Sequence, residues 1–77
     1  MRNTAQRAIT TALEPSDREI RNGFLVMVDS EGRMKFVTTR EYRTFKYPQV
    51  MFGLTSHEHE RVLQRADAID AHRSAQK

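Results

Sequence analysis

The sequence predicts a single small α+β domain: a helix, a β-hairpin, a short element and a C-terminal helix packed on the sheet. Three observations point there. Phe24 to Val28 is an unbroken apolar run of β-branched and aromatic residues. Arg33 to Thr38 alternates polar with apolar after a polar, glycine-containing turn, so the two runs make a hairpin. Thr55 and Glu58 have the capping-box spacing and open a long stretch with apolar residues at helical intervals. Seventy-seven residues hold one core at most.

Taken in order, Ala5, Ala8, Ile9, Ala12 and Leu13 recur at helical spacing and predict a helix over about 4–13, capped by Asn3 or Thr4. Pro15 closes it, because the residue before a proline avoids the α region. Pro15 to Glu19 fits one helical turn, with Ser16 as cap and Glu19 reaching back; Asn22-Gly23 is its stop.

The strands are expected over 24–29 and 33–38. The first is apolar on both faces, with Phe24, Val26 and Val28 on one and Leu25 and Met27 on the other. Such a strand is covered on both sides. Leu25, Met27 and Val37 are therefore either core beneath the chain's own helices or the face of a homodimer.

Residues 40–47 read as a short helix capped by Thr38 or Thr39, with Tyr42 and Phe45 on one face. The alternative is a third strand carrying Arg43, Phe45 and Tyr47 on one face, which would make a three-stranded antiparallel sheet. Pro48 ends the element, and Gln49 to Leu54 is expected to be irregular or extended beneath the last helix. That helix spans about 56–73, with Val62, Leu63, Ala66 and Ile69 as its buried stripe.

The chain has no cysteine, which removes disulfides and thiolate metal sites. No apolar run approaches the ~20 residues of a membrane span, and residues 1–15 lack the apolar core of a secretory signal, so no membrane association and a cytoplasmic location are expected. No nucleophile elbow, P-loop or dinucleotide glycine pattern occurs, so a non-enzymatic role without a cofactor is expected. His57 and His59 stand two apart and point to opposite sides of a helix, with His72 far along the axis, so no metal site is expected.

The formal charge of +3 is concentrated locally. Residues 33–47 hold five of the thirteen cationic residues against one carboxylate, together with four of the six aromatics. Arg33, Lys35, Arg40, Arg43, Lys46 and Tyr47 are the expected contact residues. The leading expectation is a stoichiometric protein-binding module, a small regulator or inhibitor that docks on an acidic surface of a partner through charge steering and an aromatic anchor. Compact, motif-poor regulators of phages and mobile elements provide an analogy of size only. The alternative is a nucleic-acid-binding protein using the same residues on phosphates and bases; the plainest reading is a solvated face.

Overall fold

The computed structural model describes residues 4–76. The chain forms α1 (Thr4–Thr11), α2 (Asp17–Asn22), β1 (Phe24–Val28), β2 (Met34–Thr38), α3 (Thr39–Thr44), α4 (Pro48–Phe52) and α5 (Ser56–Ala75). The only sheet among the described residues is the antiparallel β1–β2 hairpin, with Val26 opposite Phe36 and Met27 opposite Lys35. The third strand considered for residues 40–47 is not formed. Thr38 instead caps α3, its hydroxyl accepting from the Glu41 N–H while the Glu41 carboxylate accepts from the Thr38 N–H. That reciprocal cap starts a helix at the residue where a strand would have to continue.

Two further differences have local causes. Residues 48–52 are helical rather than extended, because Pro48 occupies the first helical turn, where its fixed φ and missing N–H do no harm. The first helix stops at Thr11 rather than 13, and its last carbonyls turn to side chains of α5, as described below. The Ser16–Glu19 capping box opens α2, and Gly23 closes it in the left-handed region at φ 72°. The hairpin turn is held by Asp29, whose Oδ1 accepts from the N–H of Glu31 and of Arg33, both at 2.9 Å. Those bonds, the Arg33 N–H foremost, hold its carboxyl below the ordinary aspartate range.

One core fills the space between the hairpin and α5. Leu25, Met27 and Val37 face Tyr42, Phe52, Leu54, Val62, Ala66 and Ile69, with Phe45 and Leu63 packed alongside. Tyr42 stacks on Phe52 with ring centroids 6.0 Å apart, and its hydroxyl meets His59 Nδ1 at 2.9 Å. The sequence left Leu25, Met27 and Val37 between core and dimer face; the structure buries all three in the chain's own core.

The short helices are fastened by arginines of α5. Arg61 Nε donates to the Thr11 carbonyl, and Arg65 donates to the carbonyls of Thr10 and Ala12, so the last turn of α1 is satisfied from outside. Arg73 does the same for α2, donating to the carbonyls of Ile20 and Arg21. Arg61, Arg65 and Arg73 stand at intervals of four and eight, on one side of α5.

Candidate functional site

The two edges of the hairpin are treated in opposite ways. Along β1, the outward N–H of Val26 donates to Glu19 Oε2 at 2.9 Å and that of Val28 donates to Thr10 Oγ1 at 2.7 Å. Arg65 lies behind this edge, donating to Glu19 at 3.2 Å and reaching the Val26 carbonyl at 3.5 Å. The β1 edge is thus closed by buried side chains. Along β2, alternation turns the backbone groups of Met34, Phe36 and Thr38 outward. Glu41 takes the Thr38 N–H at 2.9 Å. Among the described residues, nothing takes up the outward groups of Met34 and Phe36.

Beside that edge runs a groove of about 520 Å³. It is lined by Lys35, Phe36 and Val37 of β2, by Glu41 and Phe45 of the α3 segment and by Val50, Met51 and Phe52 of α4. The turn of the hairpin closes one end, where the Ser30 N–H donates to the Met51 carbonyl at 3.1 Å. Three of the apolar side chains that line this groove are exposed: Val50 is 75% exposed, Phe36 49% and Met51 42%. Phe36 lies on the outer face of the sheet, with its ring 5.2 Å from that of Phe24 and the Arg18 guanidinium 4.9 Å above it.

The six contact residues expected from sequence are dispersed. Lys35 lines the groove, and it and Arg40 make no ion pair among the described residues. Arg33 pairs with Glu31 at 3.4 Å at the turn, with both side chains in solvent. Arg43 is committed to the fold: it bridges Asp67 at 2.7 Å and Asp70 at 2.8 Å on α5. The Asp67 carboxylate raises the Arg43 guanidinium above the ordinary arginine range. Lys46 lies 5.5 Å from the ring centroid of Tyr47 and borders a second hollow with Arg43, His59 and Leu63. The basic segment is therefore not one continuous surface.

Met34, Phe36, Val50 and Met51 were not singled out as contacts from sequence. The signal for Met34 and Phe36 is the alternation of β2 itself, which puts them on the face opposite Val37, where both stay about half exposed. Among the described residues, no three His, Asp or Glu side chains converge as a metal-ligand set, and no helix is long and apolar enough to cross a membrane. His59 is engaged with Tyr42. No family model, curated protein or solved structure matches this chain.

Proposed function

We propose that the chain is a small, non-enzymatic protein-binding module that acts stoichiometrically, docking on a partner through β2 and α4. The observation that carries this reading is the exposure of Phe36, Val50 and Met51 together along the lining of one groove. Contiguous apolar exposure of this kind marks interaction surfaces, since a monomer gains nothing by it. Aromatic and methionine side chains are the residue types enriched at such interfaces. Lys35 and Arg40 stand at hand without ion-pair partners to steer an acidic partner surface.

The test is identification of the partner by cross-linking in the native host, followed by affinity measurement on variants. Val50→Asp with Tyr47→Ala weakens binding of that partner by about tenfold or more, because interface anchors carry most of the binding energy. Unchanged affinity overturns the reading. Binding to random DNA or RNA that collapses with added salt would instead assign the basic residues to phosphates.

A further inference from the structure

We propose that Asn22 is a site of spontaneous modification, converted to aspartate or isoaspartate through attack by the Gly23 nitrogen, and that the closed end of α2 holds this reaction in check. The chain has two asparagines, and Asn22 is the one followed by glycine. That order matters because the nitrogen of the following residue is the nucleophile, and glycine has no Cβ to crowd its approach to the carboxamide.

The reaction needs only water and base. The Gly23 nitrogen gives up its proton and attacks Cγ of Asn22. A new C–N bond forms, the bond from Cγ to Nδ2 breaks, and the amide nitrogen leaves as ammonia after taking a proton from solvent. Water then opens the five-membered succinimide. Opening at Cγ gives aspartate. Opening at the backbone carbonyl gives isoaspartate, with the main chain rerouted through the side chain. Nothing is oxidised or reduced.

Three features of the structure oppose the first step. Asn22 is the last residue of α2, and closing the ring needs its ψ to swing away from the helical value. The Gly23 N–H, whose proton must be lost, donates to the Glu19 carbonyl at 2.8 Å. The departing Nδ2 donates to the Arg18 carbonyl at 2.8 Å, which holds the carboxamide back along α2. Arg73 of α5 reinforces all three. It donates to the Ile20 carbonyl at 2.9 Å and to the Arg21 carbonyl at 2.8 Å, and its side chain lies against Gly23. These contacts are at the surface, and Asn22 is exposed. The end of a six-residue helix opens at less cost than the whole domain unfolds.

The products do not restore the closed end. A carboxylate at this position cannot donate to the Arg18 carbonyl as Nδ2 does. Isoaspartate adds a methylene to the main chain ahead of Gly23. The Gly23–Glu19 bond and the pairing of Phe24 with Thr38 then cannot both persist. Because ammonia is lost, the change runs one way and accumulates with each opening of α2.

The test holds the full chain at mildly alkaline pH below its melting temperature, beside a sample unfolded in urea. Peptide mass spectrometry reads the exchange of amide for acid at Asn22, and labelling by an isoaspartyl methyltransferase reads the isomer. The expected result is modification of Asn22 in urea, at a rate at least about tenfold above that of the folded chain. Arg73→Ala is expected to raise the folded rate about three- to tenfold, by removing two hydrogen bonds from a charged donor. Arg43→Ala, which frees α3 rather than α2 from α5, is expected to leave it unchanged. The variants are compared at equal intervals below their own melting temperatures. Should Arg73→Ala not fold, Arg73→Lys replaces it, since an ammonium lacks the fork that reaches both carbonyls. Equal rates in the folded and unfolded chain overturn the proposal, as does an unmodified Asn22 in urea. So does an acceleration by Arg43→Ala equal to that by the Arg73 variant, which assigns control to unfolding of the whole domain.

Discussion

The guanidinium of Arg65 meets the carboxylate of Glu19 at 3.2 Å with both side chains buried. Burial holds the Arg65 guanidinium below the ordinary arginine range, and the Glu19 charge opposes that shift without cancelling it. The pair is a junction rather than an isolated bridge. Glu19 caps α2 through Ser16 and closes the β1 edge at Val26. Arg65 closes the last turn of α1 at Thr10 and Ala12. Four elements, α1, α2, β1 and α5, are joined at this point.

Removing one partner leaves the other charged, buried and unmatched. Arg65→Ala and Glu19→Gln are each expected to cost about 3–5 kcal/mol, a large share of the stability of a small domain. Arg65→Lys is also destabilising, because an ammonium cannot reach several carbonyls at once as the planar guanidinium does. Chemical denaturation checks this. The double variant Arg65→Met with Glu19→Gln is expected to lose less than the sum of the single changes, since no charge is then stranded.

Gly23 ends α2 at φ 72°, and a Cβ there would stand 2.9 Å from Nε of Arg73. Gly23→Ala is expected to cost about 1–2 kcal/mol from the left-handed backbone alone. It also displaces the Arg73 side chain that holds the Ile20 and Arg21 carbonyls. A lowered melting temperature, partly shared by Arg73→Ala, is the expected result.

Burial pushes the Tyr42 hydroxyl up to about 12 from 10.0. The folded chain therefore keeps a proton that the unfolded chain releases first. Stability is fully present below about pH 10 and falls as the pH rises toward about 12, with a slope of at most about 1.4 kcal/mol per unit for one proton. Tyr42→Phe removes this contribution to the slope, which urea titrations at successive pH values will read.

Charge reversal separates the cations that serve the fold from those at the surface. Arg43→Glu faces Asp67 and Asp70 and is expected to lower stability by up to about 1 kcal/mol, the modest figure of exposed pairs. Lys35→Glu with Arg40→Glu is expected to leave the melting temperature unchanged while slowing association with an acidic partner at low salt. An unaltered association rate would remove charge steering from the mechanism.

The sequence by itself determined the elements whose cause is local. The hairpin follows from the pattern of Phe24 to Val28 and Met34 to Thr38, and the caps at Ser16 and Thr55 follow from a hydroxyl and a glutamate three residues apart. These depend on neighbours within a turn, so they can be read in order along the chain. The tertiary structure alone decided what the long side chains do. Arg43 and Arg65 are alike in sequence, yet one bridges α3 to α5 at the surface and the other is fully buried against Glu19, forty-six residues away. An arginine's reach spans whichever segments the fold sets within its length, and no local pattern states which those are. The same holds for the hairpin's edges. Both strands are apolar enough to pair, but only the packing of α1, α2 and α5 behind β1 closes one edge and leaves the other, with Met34 and Phe36, facing solvent.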